Sequence, residues 1–486
     1  MSTSPLIALM VASPITAAIL LNLAHGNGRS VKFTAYSFGL LSVVLPFATE
    51  YGNHIFSGHG RIAGLATGII YIFSAHTRIL AFILALIAYL MILAYTNAFK
   101  KVSGTYLAFM MLGVGATSAT LFADDFFNFY VFLEIALISQ TALAIAKGSL
   151  ESIKASIKYL LVANIAGNCL LLGIAMLLSL TGSLNITDMQ EAIATKGFAQ
   201  ASNPVFLGAC ALSVFAFAYA SGLFPFHNIK SELYAAAAEH GSALMQTQTK
   251  FIMVGLGLII LRLFHEVQVI RYLMLYMALG AMVFGVIMAL KQDNYHRMLS
   301  YHAISQAGYV AAGLSIGTPA AIIAGIFHAI NHVLYKSALF LGCECVKIQK
   351  GTTDFKRLGS MITGLPMVGV LVLGAKFAIS GIPPFNGFQS KLQLMVAAFD
   401  AQLYEVTVVM ILVSVLTFIS MMKASHLVFL RPTTQAEKAS STKRIPKSYL
   451  FALTVLVGLC LYLGLMPECA TRYLEPIAYE VGYMWS

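Results

Sequence analysis

The run Gly381-Ile-Pro-Pro384-Phe-Asn-Gly-Phe-Gln389-Ser390-Lys391 places Gly and Pro inside an otherwise apolar stretch, and an earlier run, Gly222-Leu-Phe-Pro225-Phe-His227-Asn-Ile-Lys230-Ser231-Glu232, does the same. Laid side by side, the two match as G-x-x-P-F-x(4)-S followed by a charged residue. Proline has no amide hydrogen to donate and its ring clashes with the preceding turn. Each run therefore predicts a broken helix, with Gly222, Pro225, Gly381, Pro383 and Pro384 at the breaks. Backbone freed at mid-membrane depth persists only beside protein or a water-filled cavity. Matched interruptions in two halves of a chain point to an ion or substrate path. Two unrelated loop turns rich in Gly and Pro are the plainer alternative.

The rest of the chain supplies the membrane. Of 486 residues, 59% are apolar and 10% charged, with mean hydropathy +0.82; a soluble domain of this length needs more charge to cover its surface. Apolar runs long enough to cross about 30 Å of hydrocarbon recur throughout. About fourteen spans are predicted, near 5–24, 33–49, 79–95, 104–122, 126–146, 157–180, 204–223, 250–264, 272–290, 301–316, 318–345, 362–380 continuing to 399, 404–428 and 449–466, with 233–247 read as the second half of the seventh. The fold class is thus an all-α polytopic membrane protein. No loop is long enough to fold alone, the largest being 50–78, 181–203 and 429–448. The N-terminal apolar run lacks a basic leader and is too long for a removable signal peptide.

The net charge of +11 does not form a nucleic-acid-binding patch. Arg29 and Lys32, Lys100 and Lys101, Lys147 and Lys154, Lys291 and Arg297, Lys347 through Arg357, and Arg431 through Lys447 all follow odd-numbered spans. The positive-inside rule assigns those loops to the cytoplasm and both termini to the outside, with the cell membrane as the location. The opposite loops carry Asp124, Asp125, Asp188 and Glu191, and the tail Glu468, Glu475 and Glu480. Six cysteines show no metal-ligand spacing and read as small apolar packing residues.

A charge at the bilayer centre costs on the order of 3 kcal/mol even on lenient insertion scales, so each one inside a span asks for a reason. Glu134 lies about two turns into the fifth span, Lys250 opens the eighth, and Lys376 and Lys391 bracket the second break. His328, His332 and Lys336 are spaced four apart, which puts them on one helical face. A lone membrane histidine reads as hydrogen-bonded packing; three ionisable groups on one stripe read as an aqueous track. Lys158 and Lys250 admit snorkelling to the interface as an alternative, and Lys376 admits packing against a carbonyl. A carboxylate moved toward or away from a buried lysine changes which protonation state is favoured, which suffices to load and unload a proton.

At these residues the sequence resembles the proton-conducting antiporter-like family shared by respiratory complex I, membrane-bound and energy-converting hydrogenases, and multisubunit sodium/proton antiporters. The resemblance is broadest over 103–400. It is most specific in Leu290-Lys-Gln-Asp293 through Ser305-Gln-Ala-Gly308-Tyr309, in Phe327-His-Ala-Ile-Asn-His-Val-Leu-Tyr-Lys336-Ser-Ala-Leu-Phe340, in Gly351-Thr-Thr-Asp354 through Leu358-Gly359, and in Gly381 through Lys391. It implies fourteen helices containing two inverted five-helix repeats, spans 4–8 (103–265) and 9–13 (270–428), broken at spans 7 and 12, after an N-terminal three-span region (1–102) and before a basic loop, span 14 and tail (429–486). Carried over by resemblance, Glu134, Lys250, Lys336 and Lys391 are relay residues, and His328 and His332 link the two half-channels.

The first half departs from the family pattern. The lysine expected five residues before the proline of span 7 is Ala220, and Glu232 stands where an aspartate is common. Lys250, Lys158 or Lys230 replaces the missing partner of Glu134, or the first half-channel does not conduct in the usual way; the sequence leaves these open. The divergence points toward the hydrogenase-linked or antiporter branches. With no haem, iron-sulfur, flavin or nucleotide motif in the chain, no cofactor is expected in it. The expected partners are other membrane subunits and a hydrophilic redox module of a hydrogenase-like or dehydrogenase complex, with H⁺ or Na⁺ as the ion. A sodium/proton antiporter without redox partners and a non-conducting structural subunit are the alternatives.

Overall fold

The computed structural model describes residues 5–24, 28–48, 54–62, 65–99, 102–198, 203–432 and 444–477. In chain order these form α1 (Pro5–Leu23), α2 (Gly28–Ala48), strands β1 (His54–Ile62) and β2 (Leu65–Phe73), α3 (Ala75–Ala98), α4 (Gly104–Phe122), α5 (Phe126–Ile145), α6 (Leu150–Thr181), α7 (Ile186–Lys196), α8 (Pro204–Ser221), α9 (His227–Ala236) and α10 (Glu239–Phe264). There follow α11 (Gln268–Leu290), α12 (Tyr295–Ile316), α13 (Pro319–Lys350), α14 (Met361–Gly364), α15 (Pro366–Ser380), α16 (Asn386–Asp400), α17 (Tyr404–Ser425), which runs into a π-helical turn, and α18 (Lys447–Leu465). Twelve described helices are long and apolar enough to cross a membrane.

Burial divides them by role. In α13, 94% of the most apolar window is covered by protein, and α10, α12, α15, α16 and α18 all pack on it. It starts at Thr318, whose hydroxyl accepts from the Ala321 amide, with Pro319 in the first turn, and ends at Gly351 in the left-handed region. At the rim, α6 exposes Ile157, Leu161 and Ile165, and α17 exposes Val408, Leu412 and Val415. Such apolar faces are stable only against lipid or another protein.

Both expected breaks are present. Gly222 ends α8 at φ +70° and Gly381 ends α15 at φ +78°, a conformation that disfavours residues bearing a Cβ. The short second half of the seventh span is His227–Ala236 rather than 233–247. Its successor α10 begins at Glu239, so Lys250 sits mid-helix rather than at its opening. The physical reason is burial against protein: 89% of the apolar window of α10 is covered. Its polar run from Glu239 to Thr249 faces neighbouring helices, and hydropathy alone separates it from the apolar stretch after 250, which leaves 233–247 to the seventh span. The α6 helix begins at 150 rather than 157, started by Ser149, whose hydroxyl accepts from the Ser152 amide, and α13 continues to 350 rather than 345. The 50–78 loop contains an antiparallel hairpin pairing His54 with Phe73, an exception to the all-α expectation. The β-branched and aromatic residues of Ile69-Ile-Tyr-Ile-Phe73 suit a strand.

The two ends of the helix bundle differ chemically. At one end basic loops meet: Lys347 of α13 binds Glu239, Arg297 binds Glu151, and Arg431 donates to the carbonyls of Lys356 and Leu358. At the other, Asp124 is held by Arg262 at 3.1 Å and by Asn185 and Thr187. There burial raises the neighbouring Asp125 carboxyl above its ordinary range, although its bond from the Asn128 amide opposes the shift.

Candidate functional site

The breaks place lysines where helix backbone has lost its partners. In the second, Lys391 of α16 turns back so that Nζ donates to the carbonyl of Ile379 (2.8 Å) and to Ser414 Oγ (3.1 Å). In the first, Lys230 of α9 donates from Nζ to the carbonyl of Ala220 (3.1 Å) and to the Tyr159 hydroxyl (2.8 Å). Ala220 and Ile379 each stand two residues before the left-handed glycine. The two acceptors are equivalent positions in the two motifs, although the two lysines are not. Each glycine also makes room for its lysine: a Cβ on Gly222 would lie 2.9 Å from Lys230 Cβ, and one on Gly381 3.0 Å from Lys391 Cδ.

Glu134 lies on α5 against α6. A Cβ at Gly167 would overlap its Oε1, so the glycine makes the space that the carboxylate fills. Glu134 is within electrostatic reach of Tyr159 and Tyr219. Tyr159 is the hydroxyl that Lys230 contacts, so among the three lysines proposed as partner, Lys230 is the one tied to this neighbourhood. Lys158 instead pairs with Glu232 at 2.8 Å, both side chains about half exposed. That pair lines a cavity of about 600 Å³ at the basic end, together with Glu151, Arg297 and Ser231, the residue following Lys230.

From Lys230 the line continues inward. Lys250 is within electrostatic reach of Lys230, Lys336 and His332, and Lys391 of His328. Lys250, His328, His332 and Lys336 have no solvent exposure. His328 Nδ1 lies 2.9 Å from Ser390 Oγ, which couples α13 to the second broken helix. Asn331 and Asn386 exchange a further pair of bonds across the same joint. Lys376 is buried apart from this line, donating to Ser425 Oγ at 3.2 Å between the rings of Tyr295 and Phe429.

Several of these groups are unsatisfied by protein. Among the described residues, Glu134 Oε1, Lys250 Nζ, Lys336 Nζ, His328 Nε2 and both ring nitrogens of His332 find no hydrogen-bond partner. Each buried unmet polar group costs about 1–3 kcal/mol, more when charged. So many in one file are tolerable only where water reaches them. Such a file fits proton or small-cation transfer, and no group of three or more His, Cys, Asp or Glu among the described residues is arranged to hold a metal ion.

Sequence reasoning missed Tyr159 and Ser390, because their roles depend on contacts between helices. It also missed His302, whose Nε2 lies 2.8 Å from Ser420 Oγ and which is within reach of Lys336 and Lys391, and the buried group Glu239, His240, His296 and Glu344. Glu344 was findable, since it continues the four-residue interval of His328, His332 and Lys336.

The sequence profile of a family described as NADH:quinone oxidoreductase/Mrp antiporter, transmembrane, matches residues 123–420. The chain is 43% identical over 478 residues to an uncharacterized protein of Methanocaldococcus jannaschii, covering 98% of each. It is 31% identical to a Na(+)/H(+) antiporter subunit of Alkalihalophilus pseudofirmus, over 77% of this chain and 74% of that one. Its fold is similar to a chain of the membrane-bound sulfane sulfur reductase, an archaeal respiratory membrane complex, with TM-score 0.87 at 21% identity, covering 97% of this chain and 77% of that chain. On the extent of the profile match and these identities, the chain belongs to the NADH:quinone oxidoreductase/Mrp antiporter transmembrane family.

Proposed function

We propose that this chain is the proton- or sodium-translocating subunit of a membrane complex driven by a hydrophilic redox partner, such as an energy-converting hydrogenase or a related respiratory assembly. The supporting observation is the file from the half-buried Glu134 through the buried Tyr159, Lys230, Lys250, Lys336, His332 and His328 to Lys391. Conduction along it needs no cofactor in this chain; the partner supplies the redox chemistry. A transferable ion enters at one half, and displacement of charge at each lysine drives the next. Counting α12 and the broken pair α15–α16 as crossings gives fourteen, with 103–265 and 270–428 as the inverted repeats. The matched carbonyl acceptors at Ala220 and Ile379 support that division. The basic end is assigned to the cytoplasm of a cell membrane and both termini to the outside.

A gradient-driven sodium/proton antiporter is the second reading, favoured by the 31% identity to a subunit of such an antiporter. Redox subunits that copurify with the chain support the first reading, and small membrane subunits alone support the second. A non-conducting spacer leaves the insertion cost of Glu134, Lys336 and Lys391 without a return. The decisive test is ion uptake by membrane vesicles holding the assembled complex. Glu134→Gln and Lys391→Ala are each expected to abolish most of it, and unchanged uptake in both rejects translocation through this file.

A further inference from the structure

The ionisable stripe of α13 does not end at Lys336. At the same four-residue interval it passes Phe340 and reaches Glu344, whose residue is 4% exposed at the basic end of the bundle. Glu344 Oε1 lies 2.8 Å from Nδ1 of His240 in the first turn of α10. The rings of Tyr95 and Tyr106 stand against that imidazole at 5.1 and 5.4 Å. Beside the pair, Lys347 donates to both oxygens of Glu239 at 2.8 and 2.9 Å. His296 of α12 lies 3.7 Å from Glu239 and 3.1 Å from Ser242 Oγ. Two carboxylates, two imidazoles and an ammonium are thus gathered between α10, α12 and α13.

Saturation separates the two halves of this cluster. Glu239 and Lys347 satisfy one another, as a structural ion pair does. Around Glu344 the opposite holds: its Oε2, His240 Nε2 and the hydroxyl of Tyr106 are buried and have no geometrically good hydrogen bond among the described residues, with the Tyr449 hydroxyl beside Glu344. Three unmet polar atoms around one imidazole–carboxylate contact make a poor staple, because each costs about 1–3 kcal/mol. They make a good receptacle for water or an arriving proton.

One side chain, Phe340, stands between the relay and the His296 side of this cluster, one helical turn before Glu344. The Lys336 Nζ lies 5.3 Å from the centroid of the Phe340 ring. The His296 ring meets Phe340 edge-on at 5.5 Å and 86°. An aromatic ring flanked by a relay lysine and by the His296 imidazole interrupts a polar path over one helical turn between Lys336 and Glu344.

We propose that Glu344 and His240 form a proton-loading site open to the basic-loop side of the membrane, which delivers to the Lys336 amine when the Phe340 ring moves aside. A proton from water adds to the unmet oxygen of Glu344 or nitrogen of His240, and the pair holds it across their contact. It then passes to the neutral Lys336 amine, which gains one positive charge while the pair returns to its starting state. This site rests on the reading of Lys336 as a relay residue, but it is a separate approach from the cavity beside Glu232.

The test uses vesicles carrying the assembled complex, with a pH-sensitive dye reporting energised proton uptake and, without energisation, decay of an imposed pH gradient. Uptake is read per complex from the amount of chain in the membrane. E344Q should lower energised uptake roughly 10²-fold, the low end for one lost proton-transfer partner, and H240Q should behave alike. F340A should speed the passive decay several-fold, and the F340A/E344Q double variant should return it to the parental rate. A merely structural cluster predicts fewer complexes at an unchanged rate each, and a double variant as leaky as F340A; either result overturns the loading site. Normal uptake in E344Q with loss in K336A also overturns it while leaving the relay intact. Normal uptake in K336A removes the relay itself.

Discussion

The Lys230 ammonium donates to the carbonyl oxygen of Ala220 at 3.1 Å, at the position where the family pattern carries a lysine of its own. The first half therefore keeps a buried cation beside the neighbourhood of Glu134, supplied from the far side of the break instead of the near side. Lys158, paired with Glu232 at the cavity wall, does not take that place.

Lys230→Met should lower ion uptake by roughly 10²-fold, the low end of what a positioned proton-transfer group contributes. Adding Ala220→Lys in the Lys230→Ala background should restore part of it by returning the amine to the same acceptor region from the opposite chain segment. Uptake by vesicles of the single and double variants measures both effects, and Lys230→Met with normal uptake transfers the role to Lys250.

Gly167→Ala should impair transport more than stability. Its new methyl would overlap Glu134 Oε1, displacing a flexible carboxylate from the Tyr159 side, whereas overpacking of this size costs about 1–3 kcal/mol. Comparing uptake with thermal inactivation of the detergent-solubilised chain separates the two.

Gly222→Ala and Gly381→Ala should each destabilise by more than Gly351→Ala. All three glycines adopt positive φ, but a Cβ meets nothing within 4 Å at Gly351 and meets a lysine stem at the other two. The backbone contribution alone is about 1–2 kcal/mol. Half-times of thermal inactivation should rank the variants in that order, and equal half-times would show that the stems yield freely.

Breaking the Lys158–Glu232 pair by Lys158→Ala should cost under about 1 kcal/mol, because both partners are about half exposed and screened by water and salt. Uptake should remain close to parental across a range of salt concentrations. A loss comparable to that of Lys230→Met would place the ion entry at this pair.

Lipid-facing apolar residues and helix-breaking Gly and Pro were legible because each acts through local chemistry: hydropathy along α1 to α6, and the φ restrictions at Gly222 and Gly381. The start of α10 was not, since the polar residues from Glu239 to Thr249 join the apolar stretch after 250 only when protein surrounds them, and 233–247 reads as part of the seventh span. The partner of Glu134 was undecidable for the same reason. Tyr159, which brings Lys230 into its vicinity, belongs to a helix 71 residues away in sequence. The residues β1 and β2 occupy offered β-branched side chains but also several glycines and no turn dipeptide strong enough to override a loop reading.

A helix interrupted by glycine offers a lone oxygen in a fixed place, while the group that answers it has latitude: Lys230 and Lys391 reach matching oxygens from alignment positions two residues apart. The acceptor is anchored by backbone and the donor is portable. Within this one chain, the equivalent oxygen is met from two different steps of the second half-helix, so the left-handed glycine fixes the receiving point while the sequence position of the cation varies.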